Sequence, residues 1–198
     1  MKKILFLAAL LLPFAAHTYP IYTSSFNSDF RPYIGIDAGL NIADYTIDTD
    51  LDDTYYSATI NAGARIGNHF GVELFFTQSS TNDLEYVYDF YAINHELYYN
   101  AFGFDIYGYY NISKEFDFFT SFGIANYKIY NEFDYLDIYI ESAFKEKENE
   151  VTTRLGIGIL YTFPGDHVSG LIQYQYSPIN TEIIKTMSEF SIGMRYIF

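Results

Sequence analysis

The amino-acid sequence predicts an all-β fold, an eight-stranded antiparallel up-and-down transmembrane β-barrel. Three observations lead to this prediction. Apolar and polar residues alternate over segments of nine or more residues, which is typical of strands with two different faces. The connections between these segments alternate between short and long. Aromatic residues make up 21% of the sequence, as expected of a barrel with an aromatic girdle at each membrane interface.

The first 18 residues have the features of a cleaved signal peptide. Lys2 and Lys3 form a positive start, and the run from Ile4 to Ala16 is almost entirely apolar. This run is too short for a transmembrane helix, which needs about 20 residues. Ala16 and Thr18 are small residues two positions apart, as signal peptidase requires. We therefore expect residues 1–18 to be removed on export and residues 19–198 to form one barrel domain.

The strands are read from the alternation of their residues. In the first segment, apolar residues at even positions from Ile34 to Ile42 oppose small or polar residues at odd positions from Tyr33 to Asn41. A strand that crosses a membrane at a tilt needs about 9–11 residues. Eight segments are of suitable length, and they lie at about 32–43, 55–67, 69–79, 97–110, 116–129, 151–162, 168–177 and 187–198.

The connections between the eight segments follow a regular order. Short turns are predicted at Asn68, at 111–115 and at 163–167, the last around Pro164-Gly165-Asp166. Long connections are predicted at about 44–54, 80–96, 130–150 and 178–186. Short periplasmic turns that alternate with long external loops are typical of transmembrane barrels. We therefore expect both termini on the periplasmic side.

A soluble barrel with its apolar face turned inward would show the same alternation. The composition of the polar face distinguishes a soluble barrel from a membrane barrel. The outside of a soluble barrel would be rich in Lys and Glu. Here the polar face is largely Gly, Ser, Thr and Asn with isolated charges, which suits a crowded interior. The apolar face has almost no charge at the strand centres, as contact with lipid requires. This favours the membrane protein.

Charge and cysteine content exclude several functions. Without Lys2 and Lys3 the mature chain has nine basic and 25 acidic residues, a net charge of −16. A protein this acidic is not expected to bind nucleic acid, because phosphate recognition needs clustered Lys and Arg. Cysteine is absent, which excludes disulfides and thiolate metal sites. No cofactor and no metal are expected.

The last strand carries a spacing that resembles the assembly signal of outer-membrane barrels. That signal has a polar residue, a glycine two positions later, then an aromatic residue and a terminal aromatic residue. Ser191, Gly193, Tyr196 and Phe198 occupy these positions. A last strand with an unpaired edge can add to a sheet edge of the assembly machinery. We therefore expect the barrel-assembly machinery to be a partner.

Three segments carry a resemblance to a known family. They are Asn61 to Glu73, Arg154 to Gly158 and Glu189 to Tyr196. With them, the chain from Tyr33 onward resembles the small OmpA-like and opacity-protein-like barrels, often called porin-family outer-membrane β-barrel proteins. The resemblance implies a Gram-negative outer-membrane location and a barrel fold, and it specifies these more than an activity.

Seven charged residues fall on the face assigned to the barrel interior. Enclosed opposite charges in so narrow a barrel should pair. One interpretation is a static network that fills the interior; the other, which the OmpA resemblance allows, is a switchable salt-bridge gate in a narrow pore. The residues are Asp37, Arg65, Glu73, Asp105, Arg154, Glu189 and Arg195.

The long connections hold most of the acidic residues, 16 of 25 within 44–53, 81–97 and 131–150. We expect the surface-exposed loops to contact lipopolysaccharide, outer-membrane lipid, and a host or phage receptor. Aromatic side chains lie between these charges, and some are expected to extend the strands above the membrane. They include Tyr86, Tyr88, Phe90, Tyr91, Phe133, Tyr135 and Tyr139.

A lipid-modifying enzyme is the remaining alternative, and a hydrolase would need a Ser, a His and a carboxylate at the external rim. Of the four histidines only His95 is predicted to lie there, with Ser79 and Ser80 across the connection. Glu96 follows His95 directly, and successive residues of a strand point to opposite faces. No catalytic residue is therefore expected, and the function expected is a structural or surface-interaction role.

Overall fold

The fold is described from a computed structural model, which covers residues 30–46, 49, 51–87, 91–137 and 141–198. The predicted signal peptide and its cleavage site lie outside the described residues. So do Tyr88, Phe90 and Tyr139 among the predicted loop aromatics.

The described residues form nine β-strands. Within them, no helix is long and apolar enough to cross a membrane. The strands are β1 (Phe30–Tyr45), β2 (Thr54–Ile66), β3 (Phe70–Ser79), β4 (Asn82–Val87), β5 (Tyr91–Asn111), β6 (Phe116–Asp137), β7 (Glu141–Thr162), β8 (Val168–Ser177) and β9 (Ile184–Ile197).

The strands form one antiparallel sheet whose hydrogen bonding returns on itself as a ring. The order in the sheet is β3-β2-β1-β9-β8-β7-β6-β5-β4. β3 also pairs with β5, from Phe70↔Gly108 to Gln78↔Asn100. β4 pairs with β5 beyond this region, from Asn82↔Leu97 to Val87↔Ala92. β4 is thus a side branch of the ring, and the predicted all-β antiparallel fold is confirmed.

The two faces of the strands have opposite character. Asp37 and Asn41 of β1 are buried, whereas their neighbour Ile36 is 64% exposed. The same alternation holds around the ring, where exposed large apolar side chains include Ile60, Leu74, Phe102 and Ile172. A soluble monomer rarely exposes a contiguous apolar patch larger than a few hundred Å². The outward apolar face predicted from the sequence is therefore the outer surface of the ring.

The two ends of the ring differ. The turn end carries short connections at 67–69, 112–115 and 163–167. Gly67, Gly165 and Asp166 have positive φ values of 62°, 106° and 61°. All three predicted short turns, at Asn68, 111–115 and 163–167, are confirmed. The opposite end is the loop end. There the connections 46–53 and 178–183 lie close to the predicted ones at 44–54 and 178–186.

Two predicted long loops are largely strand. The segment 80–96 contains β4 and the start of β5, and most of 130–150 belongs to β6 and β7. The pairing of β6 with β7 runs without a shift from Phe116↔Tyr161 to Leu136↔Glu141. The strand predictions stopped where charged residues become frequent, but charges on both faces do not prevent pairing where both faces meet water.

The outer face yields a first prediction. Ile192, near the middle of β9, is 63% exposed among apolar neighbours. If it faces lipid, Ile192→Lys should lower the free energy of unfolding by about 2–4 kcal/mol, the usual effect of a lysine at the bilayer midplane. The measurement is urea unfolding of the protein refolded into phospholipid vesicles. Asn149→Lys, an exposed position near the loop end, is the control, and an equal loss in both variants would contradict a lipid-facing surface.

Candidate functional site: the charged interior and the projecting sheet

All seven charged residues predicted for the interior lie on the inner face of the ring. Asp37, Glu73, Asp105, Arg154, Glu189 and Arg195 are at most 7% exposed, and Arg65 is partly buried near the turn end. Their positions follow from the alternation of each strand, because every second residue points inward. The contacts divide them into separate groups.

Arg195 and Glu73 form the centre of the first group. Arg195 Nη2 lies 2.7 Å from Glu73 Oε2. Tyr33 donates a hydrogen bond of 2.9 Å to Glu73 Oε2, and Tyr107 donates one of 2.8 Å to Oε1. The guanidinium also lies over both tyrosine rings, at 4.8 and 5.1 Å from their centroids. These contacts offset the cost of removing both charges from water. The two tyrosines were not among the predicted residues.

The second group surrounds Arg154. Its Nη2 lies 3.7 Å from Glu189 Oε2 and donates a hydrogen bond to Gln175 Oε1. Gln175 in turn donates to Asp105, at 3.5 Å. The guanidinium of Arg154 lies 3.8 Å from the centroid of the Phe75 ring. The amide of Gln175 thus links the arginine to a second carboxylate.

Glycines of the inner face make room for two of the carboxylates. Gly193 faces Asp37 across the β1–β9 pair, and Gly123 faces Asp105 across the β5–β6 pair. A Cβ atom at either glycine would collide with the facing carboxylate. Asp37 also accepts a hydrogen bond of 2.8 Å from Asn61. The small residues of the polar face are therefore needed for the charged ones to fit.

A third pair lies near the turn end. Arg65 Nη1 is 2.5 Å from Asp117 Oδ2, and the guanidinium lies 4.4 Å from the centroid of the Tyr109 ring. Asp117 was not predicted, although it is in phase with the inward residues Ser121 and Gly123 of the same strand. A cavity of about 660 Å³, lined by Arg65 and Asp117 among others, opens at this end.

The interior at the loop end is apolar. Leu51, Ile179 and Ile183 lie outside the strands in the connecting segments, yet each is at most 7% exposed. They belong to a buried cluster with inward residues of the strands, including Tyr55, Phe75, Leu97, Tyr99, Ile129 and Met187. The loop end is thus filled by packed side chains, because the two connections fold inward over the ring.

Beyond the ring, four strand segments continue as a sheet. We define this projecting sheet as β4 with residues 91–99 of β5, 128–137 of β6 and 141–150 of β7. Its inner face, on the side of the ring interior, carries aromatic side chains that are 36 to 59% exposed. They are Tyr86, Phe133, Tyr135 and Phe144. The prediction that loop aromatics extend the strands is confirmed for Tyr86, Phe133 and Tyr135.

The outer face of the projecting sheet is polar. Tyr98 and Tyr130 stack with ring centroids 4.8 Å apart. Lys147 lies 5.4 Å from the centroid of the Tyr130 ring, and Lys145 Nζ lies 2.5 Å from Glu132 Oε2. The hydrogen bond from Lys145 lowers the pKa of Glu132. The exposed Lys128 lies on the same face, two residues nearer the ring than Tyr130. Its cross-strand neighbours are Asn100 and Asn149.

The residues considered for catalysis have structural partners. His95 stacks on Phe133 at 3.8 Å between centroids, and its Nε2 lies 2.7 Å from Asn131 Oδ1. Burial lowers its pKa, and the hydrogen bond with Asn131 acts in the opposite direction. Ser79 Oγ accepts a hydrogen bond from the Tyr99 backbone N–H. His95 pairs with Leu84, and Glu96 with Asp83. The two neighbours therefore point to opposite faces of the sheet.

The residues of the predicted assembly signal lie at the turn end of β9. Gly193 faces inward, whereas Tyr196 and Phe198 point outward and are 50% and 66% exposed. Their rings pack edge to face, 5.3 Å apart. The backbone N–H of Phe198 donates to Pro32 O at 3.0 Å. The last residue is therefore held in register with β1.

Within the part of the chain that the structure describes, one group of carboxylates lies close together. The oxygens of Glu146 and Glu148, on β7, and of Glu182, in the β8–β9 connection, lie within 4.8 Å of one another.

Comparison with known proteins gives a family and a fold. Residues 4–198 match the family model described as outer membrane protein beta-barrel domain. No curated protein matches the sequence. Among solved structures, the chain is similar to Ail of Yersinia pestis in complex with the heparin analogue sucrose octasulfate, at 16% identity and a TM-score of 0.56 over 85% of this chain and 97% of that one.

Two further structures have the same fold. Neisserial surface protein A is 16% identical, with a TM-score of 0.57 over 84% of this chain and 97% of that one. A major outer membrane protein from Thermus thermophilus is 12% identical, with a TM-score of 0.57 over 84% of this chain and 99% of that one.

The buried ion pair yields a second prediction. Glu73→Gln should lower the free energy of unfolding by about 3–5 kcal/mol, because it leaves the Arg195 charge buried without a counterion. The measurement is urea unfolding in vesicles. Glu132→Gln, which removes an exposed ion pair, is the matched control and should change stability little. Equal effects of the two variants would contradict the importance assigned to burial.

His95 yields a third prediction. Since burial lowers its pKa, the folded protein should show a pKa for His95 below 6.5 by NMR titration, and the value should return to about 6.5 in urea. The unfolded chain then binds the proton more readily, so stability should fall as the pH drops below about 6.5. A folded-state pKa above 6.5 would contradict the packing of His95 on Phe133.

Proposed function

The chain belongs to the family of outer-membrane protein β-barrel domains and is located in the bacterial outer membrane. From this premise we propose that β1–β3 and β5–β9 form a closed eight-stranded barrel across the membrane. We further propose that the protein has no enzymatic activity and that the projecting sheet carries its function, which is to contact other molecules at the cell surface.

The barrel is supported by the pairing scheme and by the outer face. These eight strands pair in a ring, and β4 lies outside it. Each of the eight has ten residues or more, enough for the ~9–11 needed to cross the hydrocarbon layer at a tilt. The turn end then faces the periplasm and the loop end faces outward, as in other transmembrane barrels.

The observation that carries the surface role is the exposed aromatic face of the projecting sheet. Phe144 is 59% exposed and Phe133 36%, although this sheet lies beyond the ring and therefore meets water. Clustered exposed apolar side chains with a polar rim are typical of protein interaction sites. A host or phage receptor protein is the partner class that this face suits.

Contacts with lipopolysaccharide are proposed for the outer face. Lys128 and Lys147 lie on the outer face, which continues the lipid-facing surface of the ring. Lys128 is two residues beyond Asn126 on β6, and Lys147 is four residues beyond Val151 on β7, both towards the loop end. Phosphate groups of the outer leaflet could pair with these ammonium groups. The barrel-assembly machinery remains a proposed partner through the segment that ends at Tyr196 and Phe198.

A gated pore is less well supported. The side chains at the centre of the ring pair with one another, and the loop end is filled by the apolar cluster that contains Ile179 and Ile183. A lipid-modifying enzyme is also less well supported, because His95 is engaged by Phe133 and Asn131. His95→Ala would inactivate such an enzyme. For the pore, no steady conductance of the protein is expected in planar bilayers.

Sulfated polysaccharide is a further candidate ligand, since the Ail structure holds a heparin analogue. The charge of this chain argues against it. The segments 44–53, 81–97 and 131–150 contain 16 acidic residues and two lysines. A surface of this sign repels sulfate groups and favours a cationic protein surface.

The surface role yields a fourth prediction. Asn131 faces Glu146 across the β6–β7 pair, and the backbone groups of Glu146 point towards β6. Replacing residues 132–145 with Asn-Gly would therefore close the hairpin in the same register with a two-residue turn. Vesicles that carry the shortened protein should lose binding to cultured epithelial cells, measured by flow cytometry, relative to vesicles that carry the full protein.

The barrel itself should remain intact in this variant. The control is gel mobility in mild detergent, where the unboiled barrel of both forms should migrate faster than the boiled chain. Vesicles without the protein give the background, and added heparin tests the polysaccharide alternative. Unchanged cell binding by a correctly folded shortened barrel would overturn the proposed surface role.

A further inference from the structure

One strand of the projecting sheet has an unpaired edge. β7 pairs with β6 along Glu141 to Tyr161, but its pairing with β8 covers only Leu155 to Thr162. Residues 141–154 therefore have a neighbouring strand on one side only, within the described part of the chain. The space beside this unpaired edge is the open side of β7. Its lower end lies at the turn between β8 and β9, where Thr181 N donates a hydrogen bond to Ile184 O.

The backbone groups that face the opening can be identified. Thr162 N donates to Glu115 O on the β6 side, and Phe163 N donates to Val168 O on the β8 side. Backbone groups alternate in direction along an antiparallel strand, and the β6–β7 register is constant. The N–H and C=O groups of Ala143, Lys145, Lys147 and Asn149 therefore point to the open side.

The side chains along this edge are sorted by charge. Phe144, Glu146 and Glu148 share the inner face, and Glu182 approaches the two glutamates from the β8–β9 connection. Glu148 Oε2 has no hydrogen-bond partner among the described residues. Lys145 and Lys147 lie on the outer face, where Glu132 and the Tyr130 ring engage them. The inner side of the edge thus has unpaired negative charge beside an exposed aromatic ring.

We propose that the open edge of β7, residues 141–149, binds an extended segment of a partner protein as an added β-strand. That segment has basic side chains at alternate positions, directed at Glu146, Glu148 and Glu182. This proposal rests on the proposed surface role and names the class of partner. The backbone of the added strand supplies the affinity and its alternating side chains supply the specificity, as in other cases of strand addition.

A second copy of this chain does not fit the edge equally well. Two β7 edges would bring the same glutamates, Glu146 and Glu148, together. Like charges on facing strands destabilise the pair. A basic strand would instead reduce the mutual repulsion of the three carboxylates.

The test uses a synthetic ten-residue peptide of alternating Lys and Thr as the probe. Its binding to the full-length protein in non-ionic detergent is followed by fluorescence anisotropy. Lys147→Pro removes one N–H from the open side and leaves the β6–β7 hydrogen bonds intact, a position where proline is tolerated. This variant should bind the peptide about tenfold more weakly or worse, because the proline ring also prevents close approach of the added strand. Lys147→Thr, which loses the same charge but keeps the N–H, should bind within about twofold of the unmodified protein.

A second measurement does not depend on how the variant folds. The same peptide with an N-methyl group on every backbone amide has the same charge but has no backbone N–H on either edge, so it should bind the unmodified protein about tenfold more weakly. Glu146→Gln with Glu148→Gln should weaken binding of the unmethylated peptide and reduce its salt dependence.

Equal binding by Lys147→Pro and Lys147→Thr, together with equal binding of the methylated peptide, would overturn the proposal and leave only nonspecific attraction to acidic residues. If the shortened protein that lacks 132–145 loses cell binding while Lys147→Pro keeps it, the surface role stands and the strand-addition proposal fails. If neither change affects cell binding, both proposals fail.

Discussion

Closure of the sheet into a ring is the constraint on which the rest of this structure depends. A strand edge in the hydrocarbon layer would leave its N–H and C=O groups without partners, since no water is available there. The pairing of β3 with β5 and of β1 with β9 removes both edges. Closure also determines the surroundings of each residue in the alternating pattern, because every strand of the ring then has one face towards lipid and one towards a narrow interior.

The narrow interior explains why glycine and charged residues occur together on the same face. Gly193 lies opposite Asp37, and Gly123 lies opposite Asp105. A larger residue at either glycine would displace a carboxylate. The interior is therefore filled by pairs of one small and one large side chain on neighbouring strands. The arginines fit this space because each approaches carboxylates, amides or aromatic rings at the same time.

Much of the fold could be predicted because alternation is a local property of the sequence. The positions of the ring strands, the inward face and the three short turns between strands followed from it. The partner of Arg195 could not be predicted, because Glu73 lies on a strand that is not its neighbour in the ring, and the contact depends on the register of every pair between them. The projecting sheet was underestimated for a different reason. Its strands have polar residues on both faces, so the contrast that marks a membrane strand is lost.

The constraint that closes the ring ends at the membrane surface, and the fold changes there accordingly. Above the ring, water can satisfy an unpaired backbone group, so a strand can have a free edge at little cost. β7 passes through both environments. Among the described residues it has two neighbouring strands at Leu155 to Thr162 and one neighbouring strand beyond that segment. Its lower half is fixed by the barrel, which holds the upper half extended before any partner arrives. An added strand would then lose less conformational entropy than one that must order a flexible loop. The rigid barrel is thus what makes an open edge at the cell surface a suitable binding site.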